Sequence, residues 1–182
     1  MEAVRVLVNS PLFEDTVPRI AAVDPRVDVV HIGSLMKAES EGDATATQQL
    51  DDLLQSADVV AGLRLPAQLI QRAPNLKWIQ LTSAGVDHAL DDALRSSSIT
   101  LTNAANLHSF AIAEFAVTAC LTLAKNVREC YRQKEQRLWE PYNPTILRGK
   151  TMGIVGFGHI GRRVARIAKA FEMNVIGLRR SQ

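Results

Sequence analysis

Three glycines, Gly156, Gly158 and Gly161, stand at a spacing that can hold a diphosphate. They follow a short apolar run, Met152 to Val155, and precede a stretch in which Ile160, Val164, Ile167, Ala168 and Phe171 recur at helical spacing. In such a strand–turn–helix the first glycine permits a tight turn and the second lets a pyrophosphate approach the backbone. The third lets helix and strand pack closely. His159 and Ile160 lie inside the turn, where free N–H groups and the helix dipole favour an anion. A second strand, Asn174 to Leu178, completes a β-α-β unit. Gly156, Gly158, His159, Ile160 and Gly161 are therefore the expected dinucleotide-binding residues. A methyl-donor nucleotide site, or a three-glycine turn with no ligand, remains the rival reading.

Beyond that second strand, where an acidic residue would grip the ribose 2′-hydroxyl of NAD, the chain has Arg179-Arg180-Ser181. A guanidinium there pairs with a 2′-phosphate instead. Arg179 and Arg180 thus favour NADP, with NAD the alternative; the bland reading is two solvated arginines at a strand end. Arg162, Arg163, Arg166 and Lys169 fall on the polar faces of the helix between the strands.

The elements that must position these residues begin far upstream. The chain has 182 residues, 47% of them apolar, and a formal net charge of +2, which suits one large domain or two small ones. The basic residues are dispersed, which argues against nucleic-acid binding. Cys120 and Cys130 have no metal-ligand spacing and read as reduced thiols of a cytoplasmic protein. No apolar run is long enough for a bilayer span, and the N-terminus lacks a signal-peptide pattern.

Residues 1 to about 103 alternate between strand and helix signals, which predicts a parallel sheet covered by helices. Strands are expected at Val4–Val8, Val27–His31, Val59–Ala61, Leu76–Leu81 and Ile99–Thr102. Helices are expected at Thr16–Val23, Thr47–Gln55, Ala67–Arg72 and Val86–Leu94, with Ala38–Ala46 a polar loop. From Ser109 to Lys125 runs an almost wholly apolar helix, expected to be buried in a core or against another subunit. It turns polar over Arg128–Arg137 and is expected to end at Pro141 and Pro144. The domain boundary falls at 104/105.

Four ordered stretches resemble the D-isomer-specific 2-hydroxyacid dehydrogenases, a family with glyoxylate, hydroxypyruvate and phosphoglycerate dehydrogenase types. They are Leu76–His88, Leu101–Glu114, Leu147–Gly161 and Val175–Ser181. The resemblance implies an α/β chain: a flavodoxin-like substrate domain over 1–104, then a linker helix and the first β-α-β unit of a Rossmann domain over 105–182. It implies that backbone N–H groups of Ser83, Ala84 and Gly85 take the carboxylate of a small 2-keto or 2-hydroxy acid. Such a loop, at the carboxyl end of a parallel strand, is where these folds bind ligands; otherwise Ser83 reads as an ordinary helix cap. Ser109 matches a position near the nicotinamide and also reads as a cap. Asn103 reads as a hinge residue. Asn106 stands where many relatives have glycine. The linker helix of such proteins forms a homodimer interface.

The resemblance covers only the first half or so of such proteins, and their catalytic arginine, acidic residue and histidine fall outside it. Hydride transfer needs a proton acceptor and a cation for the carboxylate. His31, His88, His108 and His159 match none of those positions, so no catalytic residue is assigned. His88 is expected to open a helix as a capping or surface residue. The leading expectation is an NAD(P)-dependent oxidoreductase of 2-hydroxy or 2-keto acids represented by a truncated chain. The alternative is a non-catalytic dinucleotide-binding or dimerising module, a reuse that the related C-terminal-binding-protein corepressors illustrate. A third is a fragment whose Val175–Leu178 strand is an unprotected edge.

Overall fold

The computed structural model describes residues 3–9 and 17–180. Two compact units divide the chain at Ala105/Asn106.

In the first unit, β-branched runs form β1 (Val4–Asn9), β2 (Val27–His31) and β3 (Val59–Gly62). They are joined by β4 (Trp78–Leu81) and β5 (Thr100–Thr102). All neighbours are parallel, in the order β2-β1-β3-β4-β5. That is the flavodoxin-like order, whose reversal lies between β1 and β3. The helices are α1 (Val17–Ala21), α2 (Gly33–Ser40), α3 (Ala44–Gln55), α4 (Leu69–Arg72) and α5 (Asp92–Arg95). Leu7, Val60, Ile79 and Leu81 from the sheet and Leu50 and Leu54 from α3 are fully buried together. Thr16, expected to start the first helix, lies outside the described residues.

Two expectations fail here for local reasons. The stretch Ala38–Ala46 is not a loop: α2 continues through Ser40, and only Glu41–Asp43 intervene before α3. Asp43 starts α3 by accepting the Thr45 and Ala46 N–H groups at 2.8 and 3.1 Å, a cap worth about 1 kcal/mol. The helix expected over Val86–Leu94 is a turn followed by α5. Asp91 is extended and its Oδ1 accepts the Leu94 N–H at 2.8 Å, which starts a new helix there. The apolar stripe survives the break, since Val86, Ala89 and Leu90 pack against the core and Leu94 is buried in it. His88 consequently sits in the turn, not on a helix.

The second unit holds α6 (Ser109–Ala124), α7 (Val127–Glu135), β6 (Thr151–Val155), α8 (His159–Ala170) and β7 (Asn174–Leu178). Strands β6 and β7 are parallel, registered from Thr151 opposite Asn174 to Val155 opposite Leu178. Ala113, Val117 and Val164 form a small core with Met152, Ile154 and Ile167. The apolar helix is buried on one side only, through Ser109, Ala113 and Val117, while Phe115 is 76% exposed and Leu123 81%. It also ends early. Asn126 takes a left-handed conformation, φ 48°, and α7 leaves at 61° to α6, finishing at Glu135 before either proline. Among the described residues no single helix is long and apolar enough to cross a membrane, although α6 and α7 together have the length and composition across their bend.

Candidate functional site

The loop after β4 is built to present N–H groups. All three of its carbonyls are taken: Ser83 O accepts from the Ala104 N–H at 2.9 Å, Ala84 O from Asn103 Nδ2 at 2.7 Å and Gly85 O from Ser83 Oγ at 2.7 Å. Among the described residues no acceptor takes the N–H groups of Ser83, Ala84 or Gly85. Ser83 therefore closes its own loop and caps no helix. Asn103, read as a hinge, is a brace: its Nδ2 holds Ala84 while its Oδ1 accepts the Ala105 N–H at 3.3 Å. Nothing in its sequence neighbourhood signals that job.

Beside this loop, at the carboxyl ends of β3 and β4, lies a cavity of about 670 Å³. Ser83, Gly85, His88, Arg64 and Leu63 line it, with further apolar side chains behind. His88 Nε2 lies 3.1 Å from Leu63 O. A carbonyl can only accept, so Nε2 carries a proton and the ring bridges the β3 and β4 loops. Sequence reading placed His88 on a helix surface and missed this.

The glycine turn sits at the end of β6. Gly156 has φ +97°, and its N–H reaches Leu178 O at 3.0 Å, which ties the turn to the end of β7, beside Arg179. Gly158 precedes α8 in an extended conformation, and a Cβ built there meets nothing within 4 Å. A Cβ on Gly161 would stand 2.3 Å from Gly156 O and 3.1 Å from Ile154 Cγ2. The first glycine turns the chain, the second leaves open space over the backbone and the third permits close packing, the three constraints a dinucleotide turn imposes. The first N–H of α8 to find a helical acceptor is that of Arg162, on Gly158 O at 3.0 Å. Those of His159, Ile160 and Gly161 have no intrahelical acceptor. His159, Ile160, Arg179 and Arg180 are exposed around the turn; Ser181 lies outside the described residues.

Residues 117–182 match the sequence model of the D-isomer specific 2-hydroxyacid dehydrogenase NAD binding domain. Over its length the chain is similar to proteins of the D-isomer specific 2-hydroxyacid dehydrogenase family. It is 30% identical over 179 residues to the D-3-phosphoglycerate dehydrogenase of Methanocaldococcus jannaschii, covering 96% of this chain and 32% of that protein. To the glycerate dehydrogenase of Hyphomicrobium methylovorum it is 29% identical over 181 residues, 96% of this chain and 54% of that one. A crystal structure of a family protein from Aeromonas salmonicida superposes with a TM-score of 0.77 at 27% identity, over 98% of this chain and 54% of the other. The chain thus spans about a third to a half of these relatives.

Ser109, also read as a helix cap, caps no helix. His108 occupies the N-cap position, without a side-chain cap, and Ser109 is the first helical residue. It is 2% exposed, and Arg163 Nε donates to its Oγ at 2.6 Å. Arg163, expected on a solvated face of α8, instead lies over the Phe110 ring, 3.2 Å from its centre. Asn106 has φ +73°, the left-handed region that glycine adopts freely and that asparagine tolerates.

Proposed function

We propose that the chain supplies the substrate-carboxylate cradle and the dinucleotide turn of an oxidoreductase acting on small 2-hydroxy or 2-keto acids. The glycine geometry carries this reading: the open space at Gly158, flanked by a tight turn and a close-packed helix, suits a pyrophosphate on the N-terminus of α8. When bound, the nicotinamide gives or takes the hydride. The N–H groups of His159, Ile160 and Gly161 would hold the diphosphate. Those of Ser83, Ala84 and Gly85 would hold the carboxylate, kept rigid by Asn103. The cavity beside them would take the rest of the acid. His88 has its Nε2 proton committed to Leu63 and is assigned to the cavity wall, not to proton transfer. The acid–base pair that the reaction requires is assigned to none of the described residues.

NADP is the favoured cofactor in this proposal, because Arg179 and Arg180 follow β7 at the same sheet end as Gly156. A 2′-phosphate there would meet a guanidinium rather than a carboxylate. A homodimer through residues 109–125 belongs to the same reading, as does a cytoplasmic location. Titration with NADPH and NADH, followed by nicotinamide fluorescence, tests the proposal. Saturable binding with NADPH the tighter ligand is expected, and a chain that binds neither overturns it. The second reading, a non-catalytic dinucleotide-binding and dimerising module, is favoured by the exposed apolar face of α6. A screen of 2-keto acids with bound NADPH separates the two: turnover supports the enzyme, and binding without turnover supports the module.

A further inference from the structure

Arg163 makes an uncommon set of contacts for a residue one turn into a phosphate-binding helix. Its Nε–H donates to Ser109 Oγ at 2.6 Å and its guanidinium covers Phe110. Both partners belong to the first turn of α6. Ser109 is buried, and a hydroxyl has one proton to give. With the Arg163 donor on its oxygen, that proton turns to Asn106, whose carbonyl and Oδ1 lie 2.8 and 2.6 Å away. The Ser109 N–H also points to Asn106 O, at 3.2 Å. A left-handed turn at 106–109, unfavourable by itself for a residue with a side chain, is therefore held shut by bonds that run back to Arg163. A charged group half-buried against a neutral hydroxyl is a costly way to join two helices, where an apolar pair would serve.

We infer that Arg163 is a positioning residue that couples the dinucleotide turn to the 106–109 turn, so that filling the first orders the second. This rests on the proposal that a dinucleotide binds at residues 156–161. An anion on the N-terminus of α8 fixes that helix from its first residues, and Arg163, one turn along the same helix, passes the constraint to Ser109 and Asn106. Coupling of this kind is reciprocal. Loosening the Arg163 end must therefore lower dinucleotide affinity, although Arg163 touches no ligand.

Hydrogen exchange with and without saturating NADPH tests it on the full chain and on Arg163→Ala, Arg163→Met and Arg163→Lys. Methionine keeps an apolar stem against Phe110 and removes the donor; lysine keeps a cationic donor for Ser109. In the parent, NADPH should slow exchange at 156–162 and at 106–112. Alanine and methionine should abolish the protection at 106–112, leave that at 156–162, and weaken NADPH by about fivefold. Lysine should restore most of both. A purely structural arginine would lower thermal stability in the alanine variant while leaving ligand-induced protection at 106–112 in place, and that result overturns the inference. So does a parent that binds NADPH without protection at 106–112. A parent that binds no dinucleotide removes the underlying proposal and the inference with it, and is recognised by the absence of protection at 156–162.

Discussion

Substituting alanine at two glycines three residues apart should give opposite results. At Gly158 the added methyl meets nothing within 4 Å, so stability should change by less than about 0.5 kcal/mol. Nicotinamide dinucleotide affinity should nonetheless fall, because the methyl occupies the space above the turn. At Gly161 the methyl would stand 2.3 Å from Gly156 O, so Gly161→Ala should cost about 1–3 kcal/mol of stability by chemical denaturation. Equal stabilities for the two variants would remove the distinction between the glycines. Arg179→Asp belongs with them: it should weaken NADPH more than NADH in the same titration, and equal weakening would rule out a 2′-phosphate partner. The glycines are legible in sequence because their spacing is distinctive: Gly156 answers a positive φ and Gly161 a close backbone approach, while Gly158 leaves open space over the turn. Arg163 is not legible. An arginine spaced for the outer face of a helix reads as solvated, and only the packing of α8 on α6 brings it to Ser109. Asn103 is hidden for the same reason, since the Ala84 carbonyl it holds is distant in sequence.

Strand positions follow from the sequence almost to the residue, because runs such as Val27–His31 and Asn174–Leu178 are β-branched, short and bounded by turn residues. Helix ends are less legible, because they are set by single caps. Asp43 and Asp91 each start a helix with one carboxylate, and a periodic apolar stripe crosses the Asp91 break unchanged. Among the side chains that tie elements together, Asp58 follows α3 and precedes β3. It accepts the Arg5 backbone N–H at 2.9 Å and Lys77 Nζ at 2.8 Å, joining the starts of β1 and β4. The hydrogen bond from Lys77 holds the Asp58 carboxyl below its ordinary value of 3.8, against the opposing effect of burial and with help from the Arg5 N–H. A carboxyl depressed in the folded state contributes stability above its unfolded pKa, and that contribution is lost as pH falls through the folded value. Asp58→Asn should therefore cost about 1–3 kcal/mol at neutral pH, with the gap to the parent narrowing in denaturant titrations below about pH 4. A gap that stays constant down to pH 2 would show that the charge contributes nothing. The half-buried Arg72 sits in a comparable junction, bonded to Glu39 and Asp51 across α2, α3 and α4. Burial works against its charge, and the two carboxylates outweigh that and raise its pKa.

At the scale of the chain, the second unit leaves more apolar surface open than the first. The inner face of β6 and β7 packs Met152 and Ile154 into the small core, but on the outer face Val155 is 88% exposed, with Ile176 and Leu178 also open. Parallel sheets are covered on both faces, so this face is short of cover. Along α6 the exposed side carries Ile112, Phe115 and Leu123, spaced as one helical stripe of the kind that marks an association surface. The sequence indicates an apolar helix in need of cover; it cannot indicate which side finds it, because a helix apolar all round has no face to read. The proposed homodimer through α6 makes a specific demand. Leu123 touches none of the small core and can be changed without emptying it, so Leu123→Glu should leave the secondary structure and the melting of the folded chain nearly intact. It should convert a dimer to a monomer by light scattering after size exclusion, and dissociation should steepen as the protein is diluted, as mass action requires. Ala116 packs against the core, so Ala116→Glu should instead lower stability as well as association. If Leu123→Glu keeps the dimer mass, the interface lies elsewhere, and the uncovered face of β6 and β7 becomes the surface to change next, with Val155→Lys as the corresponding variant.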